Sequence, residues 1–428
     1  MLDRKKIIII ASVVILVIVG SLIFLFGRKP VSLKKVELEF WGVFDDSDVF
    51  QTLIADFNET YSNIKINYYK KNSQTYEKDL LEAMATGRGP DIFMIHHTWA
   101  NRYQDKIWGV PSGLLTLKEF QDSFVDVVVN DFLIDNYITA LPLSVDTLAL
   151  YYNKDIFNTN GIPQPPQTWE EFLTTVEKIT IQDDRGNIER AGAALGTSRN
   201  INRSTDILSL LMIQSGAQMI NEQTNKAAFN QIVNLNGQSF NPGERALEFY
   251  TDFANPLKSV YTWNTRVDYS IDAFYKGEVA MMFNYSYNLP TVRAKSPYLN
   301  FDIAPMPQIK SSEKDVNYAN YWGMTVSHNT EDINEAWQFI VWLTQKENAQ
   351  KYLELTKKPT ARRDLIFSQK DDTDLGVFAQ QSLTAYSWPQ VDNSSIETVL
   401  ADMIESVVLG QATINEAINK AVNDINGL

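Results

Sequence analysis

The sequence predicts an α/β body behind one apolar N-terminal segment. Three observations lead there: short strand-like runs alternate with helix-periodic runs from residue 36 onward, residues 7–26 are almost wholly apolar, and the composition is globular. The 428 residues are 44% hydrophobic and 21% charged, with 19 Gly and 15 Pro, which excludes a disordered, collagenous or polytopic chain and allows two or three domains.

Taking the chain in order, Ile7 to Phe26 contains nothing more polar than Ser12, Ser21 and Gly20. At ~1.5 Å per residue such a run spans a ~30 Å hydrocarbon core, so a transmembrane helix is expected. A cleaved signal would have a shorter apolar region and a small-residue end, whereas this run closes on Phe24-Leu-Phe-Gly-Arg-Lys29. Only six residues precede it, which favours a signal-anchor with the body on the extracytoplasmic side of the cell membrane. Residues 1–35 are therefore read as anchor and stalk.

Val36 to Trp41 alternates as a first strand and leads into the acidic loop Asp45, Asp46, Ser47, Asp48. Phe50, Leu53, Ile54 and Phe57 then fall at helical spacing, and Ile64 to Tyr69 returns to alternation. A helix at Tyr76–Ala85 should stop at Gly87-Arg-Gly89-Pro90, ahead of a buried parallel strand at Asp91–Ile95. Leu148–Tyr152 is strand-like. Thr168-Trp-Glu-Glu171 and Thr413-Ile-Asn-Glu416 read as capping boxes heading two helices. Asp183-Asp-Arg-Gly186-Asn is turn chemistry between extended pieces, and Ala336, Phe339, Ile340 and Leu343 share a helix face.

The chain has no cysteine, which removes disulfides, thiolate metal sites, thiol nucleophiles and a lipid-modified N-terminal cysteine. Its net charge of −14 understates the acidity of the body. Residues 1–35 hold seven of the 38 Lys/Arg and one of the 52 Asp/Glu, leaving 31 against 51, a net −20 that repels nucleic acid. His96 and His97 are adjacent on a strand and should point to opposite faces, so no shared metal site is expected. The loop at Asp45 lacks the glycine and glutamate of a calcium-binding loop, and Gly87-Arg-Gly89 lacks dinucleotide-loop spacing. No cofactor is expected.

Several segments together carry a resemblance. Leu141 to Phe157, with Gly161-Ile-Pro and Pro166-Gln-Thr-Trp-Glu-Glu-Phe172, resembles the signature region of extracellular solute-binding proteins, family 1, the maltose-binding-protein-like sugar binders of ABC importers. Gly87-Arg-Gly-Pro-Asp-Ile92, Phe274 to Met282 and Ile303-Ala-Pro-Met-Pro307 are similar to further family segments in the same order. The resemblance covers almost everything after residue 36. It implies a two-lobed periplasmic-binding-protein-like fold of type II, with ligand held as the lobes close. Residues 36–145 and 306–355 would form the first lobe, and residues 146–305 and 356–428 the second. Two departures stand out: the family's lipid-bearing cysteine is missing, and Asn320-Tyr-Trp322-Gly323 stands where relatives have a glycine pair.

A sugar offers C–H faces and a rim of hydroxyls, so its site needs flat aromatics beside hydrogen-bond acceptors. By resemblance Asp146 is a ligand-contacting acid beside the hinge, its alternative being a turn or capping aspartate. At least one of Asp45 and Asp46 should face the cleft, because loops at the carboxyl ends of parallel strands do so; otherwise they form a solvated loop. Tyr287 matches the position where relatives often place a stacking tryptophan, and Trp322 replaces a cleft-side glycine. Trp41 ends the first strand, Trp99 follows the strand that ends at Ile95, and Trp388 lies in a loop where relatives place a cleft aromatic. Core packing is the alternative for each of these five. Trp169, Trp337 and Trp342 sit in helices and should be buried.

The resemblance implies a monomer that captures a carbohydrate and delivers it to ABC permease subunits, without catalysing a reaction. A cationic ligand such as a polyamine or amino sugar suits acids and aromatics as well. A ligand-presenting sensor would need the same cleft. A two-carboxylate glycosidase is the remaining alternative, for which the sequence shows no motif.

Overall fold

A computed structural model describes residues 34–235, 237–310 and 312–428. Its buried side chains form two separate apolar cores. The first is organised by Val36–Gly42, which pairs in parallel with Ile64–Lys70 on one side and Ile92–His96 on the other. Alternation decides which face is covered: Val36, Leu38 and Phe40 are buried, while Glu37 and Glu39 reach solvent. The helix Ser47–Thr60 lays Phe50, Leu53, Ile54 and Phe57 on this core. Helix Ile333–Leu343, from far along the chain, meets it through Phe339, edge-to-face with Phe57 at 5.0 Å.

The strand Trp322–Ser327 completes this sheet by pairing antiparallel with Ile92–His96. It therefore begins at the edge where the parallel strands end, which brings Trp322 opposite His96. Helix Tyr76–Ala85 stops as expected: Gly87 takes φ 68°, a conformation glycine adopts without penalty, and its N–H reaches the Met84 carbonyl at 3.1 Å.

The second core surrounds a mixed sheet. Ala149–Asn153 pairs antiparallel with both Val279–Asn284 and Phe301–Ala304, and Val279–Asn284 pairs in parallel with Ile188–Ala193. The C-terminal helix Ile414–Asn426 carries the full capping box, Glu416 N–H to Thr413 at 3.3 Å and Thr413 N–H to Glu416 at 2.9 Å. At Thr168 only half of the expected box forms. Thr168 accepts from Glu171 N–H, but the Glu171 carboxylate accepts from Gln167 N–H at 2.8 Å instead of closing on Thr168.

The chain passes between the cores through a small sheet in which Asp146–Thr147 pairs with Ala319–Asn320, and Asn317–Tyr318 with Ala385–Tyr386. Buried Gln381 ties these crossings, donating to Thr147 Oγ1 at 3.1 Å and to the Leu148 carbonyl at 2.9 Å while accepting from Met306 N–H at 2.8 Å. Val145 belongs to the first core and Leu148 to the second. Met306 and Tyr318 pack in the second core and Leu365 and Ile366 in the first, although the sequence reading gave 306–355 to the first lobe and 356 onward to the second. Segment ends read from similarity miss this shift because the deciding contacts are apolar ones made after each crossing.

Among the described residues no helix is long and apolar enough to cross a membrane. The expected anchor at residues 7–26 lies outside the described residues.

Candidate functional site

Between the two cores lies a cavity of about 360 Å³. The loop after the first strand contributes Phe44 and Asp45 to it, the end of Ile92–His96 contributes His96, and Trp322 enters from the start of its own strand. Segments flanking the second core contribute Arg203, Ser286 and Tyr287. The crossing segments supply Asp146 and Asn320 to the lining. Strand ends converge on this place because both sheets direct the loops at one edge toward the crossing.

Aromatic rings form much of the wall. Trp322 stands edge-on to Phe44 at 5.5 Å, to Trp99 at 5.0 Å and to His96 at 5.1 Å. Opposite them Tyr287, 48% exposed, stacks on buried Tyr285 with ring centres 5.8 Å apart. Tyr285 is fixed through its hydroxyl, which donates to Asp206 at 2.8 Å, so it serves as a platform for Tyr287. Trp99 Nε1 also donates across the cavity region to Asn393 at 3.3 Å, joining a residue of the first core to the helix Asn393–Val408 of the second.

Both carboxylates on the wall are engaged by the protein itself. Asp45, 6% exposed, accepts from the Tyr352 hydroxyl at 2.9 Å and forms an ion pair with Lys358. Burial, and next the Asp45 charge, push the Tyr68 and Tyr352 phenols up, so both remain hydrogen-bond donors: Tyr352 to the carboxylate and Tyr68 to the Asp45 carbonyl at 2.7 Å. Asp146 accepts four bonds: Thr147 N–H at 2.9 Å, Ser286 N–H at 3.1 Å, Ser286 Oγ at 2.7 Å and Tyr287 N–H at 3.3 Å. It thereby clasps the turn that presents Tyr287.

Burial raises the Asp146 carboxyl to about 6, with the four donors opposing that rise. The unfolded chain releases this proton near pH 4 and the folded chain near pH 6, so over that interval the folded state holds more protons and rising pH lowers stability. We predict that the stability of the wild-type chain relative to Asp146→Asn falls as pH rises from about 4 to 6 and is level above it. Parallel denaturation curves at intervals across this range test it, and a difference independent of pH would remove the argument.

Of the residues chosen from sequence, Asp45, Trp99, Asp146, Tyr287 and Trp322 share this cavity lining. Trp41, Asp46 and Trp388 lie outside it. Trp41 is 9% exposed, with the Lys71 ammonium 3.5 Å from its ring centre. Asp46 is exposed and pairs with Lys70 at 2.6 Å, so it takes the solvated-loop alternative. Trp388 is 3% exposed and belongs to the second core, its loop facing a separate crevice with Arg102 and Gln390. Trp169 and Trp337 are buried as expected, and Trp342 packs half-buried on the first core.

His96 and His97 do not point to opposite faces as expected. The strand ends at His96 and His97 opens a 3₁₀ turn, so the two rings do not diverge but lie 4.4 Å apart. His97 Nδ1 sits 3.2 Å from Asp131, while His96 bonds Thr98 and Asn320 and is driven well below the ordinary histidine range by burial. Among the described residues no group of three or more potential ligands could hold a metal ion.

Sequence reasoning passed over Phe44, Arg203, Asn320, Tyr352 and Lys358. Phe44 could have been found, since it stands directly before Asp45 in the same strand-end loop. Arg203 and Lys358 carried no signal, because cations in polar stretches read as surface.

Residues 42–350 match the family described as bacterial extracellular solute-binding protein. A maltotriose-binding protein of Pyrococcus abyssi is 22% identical over 314 residues, which cover 73% of this chain and 62% of that protein. The maltodextrin-binding protein MdxE of Bacillus subtilis is 23% identical, covering 89% of this chain and 90% of its own. Among solved structures, a cyclic α-maltosyl-1,6-maltose binding protein from Arthrobacter globiformis superposes with a TM-score of 0.76 at 17% identity, covering 91% of this chain and 98% of that one. These agree with the family resemblance that the sequence carries and with the two-lobed fold. The chain belongs to the bacterial extracellular solute-binding protein family.

Proposed function

We propose that this chain captures a neutral sugar or short oligosaccharide between its two lobes and delivers it, as a monomer, to ABC permease subunits. The observation that carries the reading is the cavity itself, where Trp322 and Phe44 on one side and Tyr287 on the other offer ring surface beside hydrogen-bonding groups. Relatives that bear the names of maltotriose-, maltodextrin- and galactooligosaccharide-binding proteins support it. We read the lobes as residues 36–145 with 319–366 and residues 148–318 with 376–428. Closure of such lobes trades ligand contacts against a small conformational free energy.

The cationic-ligand reading is weaker on this geometry. An ammonium group needs a free carboxylate, and Asp45 and Asp146 are both occupied by donors of the chain. The same engagement speaks against a glycosidase, whose two carboxylates must be open to the scissile bond. Residues 7–26 are proposed as the tether that holds the body on the extracytoplasmic face.

The test uses the full chain extracted from membranes. Mass spectrometry should find an N-terminus upstream of Ile7; a start near residue 30 removes the tether. In a thermal-shift panel of maltose, maltotriose and spermidine, a saccharide should raise the melting temperature, since a ligand at ~100 times its Kd adds about 2.7 kcal/mol to the native state. Stabilisation by spermidine alone would overturn the sugar reading.

A further inference from the structure

We infer that Arg203 reads a pair of neighbouring hydroxyl groups on the ligand, an assignment that rests on the saccharide reading above. Three separate features of this residue converge. Its backbone takes φ 60° and ψ 27°, the left-handed region that costs a side-chain-bearing residue stability. It occupies the cap position of the helix Ser204–Gln214, where Ser, Thr, Asp or Asn usually sits, yet its side chain makes no capping bond. What the side chain does instead is enter the cavity.

There the guanidinium lies 5.8 Å from the Tyr285 ring centre and 5.6 Å from that of Tyr287, and its Nε donates to the Tyr287 hydroxyl at 2.8 Å. Among the described residues the Nε contact to Tyr287 is its one side-chain hydrogen bond, so both Nη nitrogens are without a partner, and Asp206 attracts the guanidinium without forming an ion pair. A guanidinium is a rigid planar fork, so committing Nε to Tyr287 leaves the Nη pair as two parallel donors at a fixed spacing. Two adjacent acceptor oxygens match that fork. Because Tyr287 is the ring against which a sugar would stack, the same contact fixes both the ring and the donors beside it.

Adjacent oxygens could belong to a carboxylate or to a vicinal diol, and the surroundings favour the diol. Asp146 shares the cavity with Arg203, and Asp206 and Glu397 share a small adjoining chamber with it. Lys358 in the same lining is paired with Asp45, so the remaining balance is three acids to one cation, which leaves no surplus positive charge for an anion. A neutral diol pays no such repulsion and still accepts two charge-assisted bonds.

The experiment measures binding of maltotriose, analogues lacking one hydroxyl each, and the counterpart carrying a uronic acid, to the full chain by titration calorimetry. Arg203→Lys keeps the charge but loses the fork, and Arg203→Gly relieves the left-handed backbone. Both should bind maltotriose at least about tenfold more weakly, with Arg203→Gly melting at or above wild type. One deoxy analogue should lose about tenfold on wild type and nothing on Arg203→Gly, which places the hydroxyl against this side chain. The uronic counterpart should bind wild type more weakly than maltotriose. Variants within twofold of wild type overturn the assignment, as does a uronic ligand that binds more tightly with steep salt dependence. If no saccharide binds wild type, the sugar reading fails and takes this inference with it; binding by wild type with indifferent Arg203 variants defeats this inference alone.

Discussion

Replacing Lys358 by alanine is expected to destabilise the folded chain by about 3 kcal/mol, the lower end of the range for breaking a buried pair. Its partner decides the size of the effect. The Asp45 side chain is 5% exposed, and without the ammonium it keeps only the Tyr352 hydroxyl as a side-chain donor. The lower end applies because Lys358 itself is 28% exposed, so part of its attraction is screened by water. Asp45→Asn combined with Lys358→Met should recover most of the loss, since no uncompensated charge remains and an aliphatic chain fills the space. Urea denaturation of the two single variants and the double variant closes the cycle. A loss below about 1 kcal/mol for Lys358→Ala would class the pair with ordinary surface bridges and refute the argument.

That pair also marks the boundary of what the sequence could reveal. Asp45 was legible: a parallel strand ending at Gly42 sends its next residues toward the cleft edge, and only the alternation of Val36, Leu38 and Phe40 is needed to say so. Lys358 was not, because it lies 313 residues further on and no periodicity links them. Asp146 shows the same division. Its place beside the crossing was legible through the family resemblance, but its engagement with Ser286 and Tyr287 depends on a turn 140 residues away in the chain. Local elements were readable wherever burial follows a period, as in Phe50 to Phe57 or Ala336 to Leu343. The half-formed cap at Thr168 and the neighbouring rings of His96 and His97 were misread because each turned on where one strand or cap stops, a matter of a single residue.

Trp322 and Trp388 are both cleft candidates in the sequence, and the structure gives them opposite expected phenotypes. Trp322 lines the cavity and meets Phe44, Trp99 and His96 edge-on, so Trp322→Ala removes ring surface from the cavity wall. On the saccharide reading proposed above, maltotriose affinity should fall by about 2 kcal/mol, roughly thirtyfold, the scale of a buried aromatic contact. Trp388 is 3% exposed inside the second core, where truncation to alanine leaves a cavity that costs about 3 to 5 kcal/mol of stability. The folded fraction of Trp388→Ala should still bind maltotriose as wild type does, because no atom of Trp388 reaches the cavity lining. Calorimetric titration and urea denaturation of both variants separate the two cases. Reversal of the pattern, with Trp388→Ala stable but unable to bind or Trp322→Ala binding normally, would move the recognition surface to the crevice beside Trp388, where Arg102 and Gln390 would become its polar groups.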